Sequence, residues 1–184
     1  WRLSDILVTH LHGDHTAGIP ELKSRHRCRV IAPQQEAEKI PLADETVREG
    51  AKVNIGGLEA NVIETPGHTA GHIAYWFHAD KLLFAGDTLF SIGCGRVIEG
   101  TPEMMWGSLC KLRDLPGDTQ IYCGHEYTLA NIKFAQTIES GNRALAARAE
   151  EAARQVSTGK PTIPTTIEQE KAAKSEKPQR TSAK

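Results

Sequence analysis

A mixed α/β (α+β) fold with a helical C-terminal extension is predicted by three features of the 184-residue sequence. Short apolar runs of strand length alternate with helix-like stretches up to about residue 126. Several of those runs stop at a glycine beside a histidine or an aspartate. Beyond residue 126 the chain turns rich in Ala, Glu and Arg with a helical pattern. The expected division is 1–126 for the mixed core, 127–173 for the helical region and 174–184 for a basic tail expected to be disordered.

Taken in order, DILVT at residues 5–9 reads as a buried strand ending just before His10. GIPELKSRH reads as a short helix with Pro20 in its first turn, RVIA as a strand, and QQEAEKI as a helix opened by Pro33. AKVNI and LEANVIET flank Gly56-Gly57 and predict a hairpin. GHIAYWF and KLLFAG predict two strands joined by a tight turn at Ala79-Asp80. Residues 102–113 suit a helix with Thr101 as N-cap and Pro102 at its first position. TQIYCG reads as a strand. LANIKFAQTI and RALAARAEEAARQV read as helices, and Thr165 with Glu168 predicts a capping box for one more.

Charge and composition exclude some classes. The net charge is −1, which gives no general attraction to nucleic acid or membrane. The last 14 residues hold five Lys or Arg and one Glu, leaving an acidic body and a basic end that reads as solvated. No run of about 18 apolar residues predicts a membrane span, and no signal peptide is visible. Cys28, Cys94, Cys110 and Cys123 form no CxxC pair, so reduced thiols in a cytoplasmic setting are expected; a monomer is expected as well.

The chemistry gathers at strand ends. HLHGDH places His10, His12, Asp14 and His15 within six residues. His68 follows NVIE, Asp87 follows LLFAG, and His125 follows IYCG. Imidazole nitrogen and carboxylate oxygen suit zinc, iron or manganese. His10 and His12, two apart on extended chain, share a face and can bind one ion, while Asp14 and His15 on the following turn can point to a second. Seven donors exceed what one tetrahedral zinc takes, about four. Two ions sharing Asp87 would use all seven, and ions roughly 3.5–4 Å apart are a hydrolytic device. His72 is a candidate for orienting a ligand. His26 and His78 read as ordinary histidines.

HxHxDH followed by a distant His, Asp and His resembles the metallo-β-lactamase superfamily. TPGHTAGH, FAGDTLF, GCGR, EGTPEMMW and YCGHEYT narrow the resemblance to the glyoxalase II (hydroxyacylglutathione hydrolase) family, from about Ile6 to Lys171. The resemblance implies a four-layered αββα sandwich and a helical domain that helps hold glutathione. It implies two divalent ions, zinc expected, with His10, His12 and His68 on the first, Asp14, His15 and His125 on the second, and Asp87 bridging. The implied reaction is hydrolysis of the thioester S-D-lactoylglutathione to D-lactate and glutathione, the second step of methylglyoxal detoxification, by a hydroxide held between the ions. Asp14 and Asp87 are the implied catalytic residues, and Arg96 and Tyr127 the implied glutathione contacts.

Departures from the family pattern keep other readings open. The family has strands ahead of the metal motif, whereas this chain starts almost on it, so missing opening strands and exposed sheet edges are expected. The family's C-terminal Asn-Pro-Phe-Leu-Arg run is replaced by EQEKAAKSEKPQR, in which Lys174, Lys177 or Arg180 is the candidate substitute. Ile98 stands where many members have Tyr. Cys94 and Cys123 are expected to be packed thiols. The competing readings are another enzyme of the superfamily, a persulfide dioxygenase or a lactonase, and an inactive truncated metal-binding product.

Overall fold

The computed structural model describes residues 2–173. The chain opens with β1 (Asp5–Leu7), α1 (Gly13–Thr16), α2 (Ile19–His26) and β2 (Arg29–Pro33). A 3-10 turn over Gln34–Lys39 precedes β3 (Glu45–Val47), β4 (Lys52–Ile55), β5 (Leu58–Glu64) and β6 (Ile73–Phe77). There follow β7 (Leu82–Gly86), β8 (Leu89–Phe90), β9 (Gly93–Cys94), α3 (Pro102–Arg113) and β10 (Gln120–Cys123). The chain then forms α4 (Thr128–Ile138), α5 (Arg143–Ser157), β11 (Thr165–Thr166) and α6 (Ile167–Ala173).

Two sheets face one another. β1, β2 and β3 form a parallel sheet in that order. The larger sheet runs β11-β10-β7-β6-β5-β4, antiparallel except for the β10–β7 pair. Ile31 and Val47 from the first sheet pack on Val53, Val62, Ile73, Tyr75 and Phe77 of the second, forming the central core. On the outer side of the small sheet, Val8, Val30 and Ala32 pack against Ile19 and Ile40. On the outer side of the large sheet, Ala74, Leu83, Ala85 and Ile121 meet Leu112 of α3 and Ile167 of α6. The layers are thus helix, sheet, sheet, helix. A separate cluster of Ile92, Ile132, Leu145, Ala152 and Ala173 binds α4, α5 and α6 to the core.

Local chemistry explains the elements that matched expectation. Gly56 and Gly57 both adopt positive φ, which lets β4 and β5 close as a hairpin. Thr101 Oγ1 accepts from Met104 N–H and Pro102 opens α3. Other elements differ. β1 stops at Leu7, two residues early, because the chain leaves the sheet to reach α1. QQEAEK forms a tighter 3-10 turn rather than an α-helix. The capping box sits one residue later than expected: Thr166 Oγ1 accepts from Gln169 N–H, and Thr166 N–H donates to Gln169 Oε1. α6 starts at Ile167, so the residue just before it, and hence the cap, is Thr166. β3, β8, β9, β11 and α1 are too short to leave a periodic signal. β1 is an edge strand of its sheet among the described residues. The basic tail, including Lys174, Lys177 and Arg180, lies outside the described residues.

A buried hydroxyl is one of the ties between the two sheets. Tyr75, fully buried on β6, donates through its OH to Val8 O (3.0 Å) and lies 3.4 Å from Ile31 O. Tyr75→Phe keeps the ring and leaves Val8 O short of a partner; it should lower unfolding stability by about 1 kcal/mol, read by denaturant titration.

Candidate metal centre

Four chain segments converge on one end of the sandwich. The first follows β1. Val8 N–H donates to Ile31 O (2.9 Å) and Thr9 O accepts from Ile73 N–H (2.9 Å), so this segment is stitched to a strand of each sheet. His10 comes next, fully buried, with Nδ1 3.0 Å from Thr9 Oγ1. His12 stands at the N-cap of α1, and Asp14 and His15 lie in its single turn. The second segment, between β5 and β6, carries His68. Arg96 O can only accept, so His68 Nδ1 donates to it (2.8 Å) and leaves Nε2 facing His12 Nδ1 at 3.0 Å.

The third segment is the end of β7, where Gly86 takes a left-handed turn (φ 49°) and hands over to Asp87. A Cβ at Gly86 would lie 2.6 Å from His72 Nε2, so only glycine fits. The fourth is the end of β10. Gly124 N–H donates to Gly86 O (2.8 Å), which sets His125 beside Asp87. A Cβ at Gly124 would collide with Asp87 Oδ1.

The resulting geometry has three overlapping groups. His10, His12 and His68 offer donor atoms within 4.8 Å of one another, as do His10, His15 and Asp87, and Asp14, His15 and His125. Asp87 lies centrally: its carboxylate is 3.4 Å from His15 Nε2, 3.4 Å from His68 Nε2 and 3.2 Å from His125 Nε2. His15 Nε2 and His125 Nε2 face each other at 3.2 Å. Asp14, on the exposed rim, has its carboxylate 3.3 Å from His125 Nε2. All seven residues singled out at the strand ends are therefore brought together. His26 and His78 lie outside these groups.

The electrostatics favour a cation. Burial, with His72 and His15 nearby, lowers His10 to about 2, so its ring is neutral near neutral pH. The Asp87 carboxylate raises His15. Burial pushes Asp87 up, but His15, His10 and His125 outweigh it and hold its carboxyl below the usual range. His10 Nε2 and Asp87 Oδ1 are buried without a hydrogen-bond partner. Such orphaned atoms cost about 1–3 kcal/mol each, and a divalent cation would satisfy both. The donor set of imidazole nitrogens and carboxylate oxygens fits that cation.

Behind the donors stands a supporting layer that the sequence made visible only in part. His72, the candidate orienting residue, is fully buried and accepts from Asp87 N–H through Nε2 (3.0 Å). Its proton is then on Nδ1, which faces Thr65 Oγ1 (2.8 Å) and Thr88 Oγ1 (3.1 Å). Burial and the nearby His68 lower His72 to about 3, so the ring keeps its lone pair for Asp87. Glu36 was not expected at all. Its buried carboxylate accepts from Leu11 N–H (2.6 Å), Gly71 N–H (2.9 Å) and Thr69 Oγ1, joining the segment of His10 and His12 to that of His68 and His72. In sequence it looks like one charge among several in a polar stretch, and no signal marks it.

The proposed substrate contacts lie at the rim. Tyr127 is half exposed, its ring stacked on His125 at 5.1 Å and 13° and edge-on to Phe90 at 5.5 Å. It lines an open cavity of about 700 Å³ with Glu126, Leu129, Val156, Lys160 and Thr162. Arg96 has an exposed side chain and does not line that cavity. Cys94, in β9, is exposed rather than packed. Cys123 is partly buried, donates to His125 O (3.3 Å), and has its thiol pushed up by burial.

Comparison with known proteins agrees with this geometry. Residues 1–125 match the metallo-beta-lactamase superfamily, and residues 126–174 match the hydroxyacylglutathione hydrolase C-terminus. The chain is 61% identical over 173 residues to a hydroxyacylglutathione hydrolase of Rhodopseudomonas palustris strain HaA2, covering 94% of this chain and 68% of that protein. It is 57% identical to that of Nitrobacter hamburgensis over the same shares. Among solved structures, ETHE1 from Myxococcus xanthus superposes with a TM-score of 0.62 at 32% identity, covering 68% of this chain and 55% of that one. TTHA1623 in a di-iron-bound form gives 0.58 at 27% identity, covering 66% and 69%. Fold and site together define a metal-dependent hydrolase of the metallo-β-lactamase superfamily. Within that superfamily the chain belongs to the hydroxyacylglutathione hydrolase family. None of the described helices is long and apolar enough to cross a membrane.

His72→Phe keeps a planar ring in the stack on His10 and removes the acceptor of Asp87 N–H. The metal-stripped variant should unfold at lower denaturant, by about 1–3 kcal/mol; an unchanged midpoint would show that Asp87 N–H finds another partner.

Proposed function

We propose that this chain hydrolyses S-D-lactoylglutathione to D-lactate and glutathione, using two divalent ions, zinc in the first instance. The observation that carries the substrate class is the match of residues 126–174 to the hydroxyacylglutathione hydrolase C-terminus. The reading assigns His10, His12 and His68 to one ion and Asp14, His15 and His125 to the other, with Asp87 shared. When bound, the ions supply Lewis acidity: they make water nucleophilic near neutral pH and polarise a carbonyl.

The chain's own groups do the rest. Neutral His10 and the tautomer of His68 fixed by Arg96 O present lone pairs rather than protons to the site. Asp14, exposed on the rim, can orient an attacking water while it binds. Arg96 is positioned by charge to hold a glutathione carboxylate, and Tyr127 offers a hydroxyl and an apolar face beside His125. The leaving thiol ionises at about pH 8.5, as a cysteine does, so it can depart as thiolate without a strong general acid. The same reading divides the chain into a catalytic region, 1–126, and a substrate-binding region, 127–173, acting as a cytoplasmic monomer. That division is not a physical gap, since β11 and α6 return to the large sheet.

The test is thioester loss from S-D-lactoylglutathione by metal-analysed protein, with and without chelator. Turnover should vanish with the chelator and return with zinc; soluble protein carrying two ions and showing no turnover would overturn the assignment. Asp87→Ala should abolish turnover and reduce bound metal, since it removes a donor from the centre of the site. Arg96→Ala should raise KM more than it lowers kcat, as expected for a residue that binds substrate without entering the chemistry.

A further inference from the structure

One loop joins the helical region to the site. Residues 91–96 run from the end of β8 through β9 to Arg96, and each of the three C-terminal helices sends one polar side chain to its start. Asn131 of α4 donates through Nδ2 to Ser91 O (3.0 Å). Arg148 of α5 donates through Nη2 to Ser91 Oγ (3.3 Å). Glu170 of α6, itself buried, accepts from Ile92 N–H through Oε2 (2.8 Å). The Ile92 side chain is buried among Ile132, Leu145, Ala152 and Ala173 of the same helices.

Ile92 is held in the left-handed region at φ 59°. A β-branched residue is disfavoured there and persists only where its surroundings over-determine it. The three helical side chains and the apolar pocket do so. Four residues on, Arg96 O accepts from His68 Nδ1 (2.8 Å). The chain between has little freedom: Gly93–Cys94 pairs with Leu89–Phe90, Gly95 N–H donates to Thr88 O (3.3 Å), and a Cβ at Gly95 would collide with Asp87 O. This restrained loop thus separates the helices' grip on Ile92 from the carbonyl that aims His68.

We propose that helices α4–α6 position the His10, His12 and His68 trio through this loop, and that Glu170 and Asn131 are positioning residues for His68. The proposal rests on the reading of that trio as one metal site. The helical region is on this view part of the metal centre's support, apart from any contact with glutathione.

The experiment uses the full chain, stripped of metal and titrated with zinc against a competing chelator. The step belonging to the trio is identified as the one lost in His12→Ala, and the other as the one lost in His125→Ala. Glu170→Ala and Asn131→Ala should each weaken the His12 step about tenfold and leave the His125 step unchanged. Glu170→Gln, whose amide oxygen still accepts from Ile92 N–H, should restore it. In metal-free protein, exchange of the His68 Nδ1 proton should be faster in Glu170→Ala than in wild type. Folded alanine variants with both steps unchanged, or with both weakened equally, would overturn the proposal. Wild-type protein that takes up a single ion at the His12 step counts against the two-ion reading alone, because the same comparison is then made on that ion.

Discussion

The structure turns on the burial of one negative charge. Asp87 sits almost out of reach of solvent, and a carboxylate in that position is costly unless positive or donating groups surround it. Its backbone N–H is taken by His72, and three imidazoles stand within 3.4 Å of its oxygens. Four of the strands that end at this edge contribute to the arrangement. β7 carries Asp87 itself, β10 brings His125, and the segments after β1 and β5 bring the other imidazoles. The sandwich is a frame that holds these strand ends in register. One Oδ1 is still left without a hydrogen bond, and His10 Nε2 is in the same state nearby. A site that concentrates lone pairs, buries them and leaves them unsatisfied is built for a cation.

What could be read from the sequence follows from the range of each interaction. His10, His12, Asp14 and His15 are legible because their spacing is local and their strand is short and apolar. His68, Asp87 and His125 are legible because each lies within a short turn of a strand end and a glycine lies close by. The reason for the glycines at 86 and 124 needs the fold: each allows a backbone to pass against a side chain from another segment. Glu36 was illegible because a charge in a polar 3-10 turn looks the same whether it faces water or three buried donors. The cap falls at Thr166 because the helix begins at Ile167, one residue later than the Thr165 and Glu168 spacing suggests. Cys94 is exposed where a packed thiol was expected, because the lack of a need for a nucleophile says nothing about burial.

The boundary near residue 126 is real in composition and blurred in space. α4 and α5 pack on a loop of the core through Ile92, while β11 adds a strand to the large sheet and α6 covers its outer face. Glu126, the last residue of the predicted core, accepts from Thr162 N–H (2.7 Å) and closes the connection. A chain folded in this way cannot lose its C-terminal third without opening the outer face of the sheet that carries Asp87 and His125.

At Arg96 the main chain carries a task that does not depend on the side chain. Its carbonyl, which every amino acid possesses, fixes the proton of His68, while its side chain projects into solvent. The backbone task is indifferent to which residue occupies the position. Mutation can therefore retune the outward-facing side chain over evolutionary time without touching the imidazole behind it. Placing an unchanging requirement on the main chain and a variable one on the side chain lets a lineage explore new ligands while its chemistry stays intact.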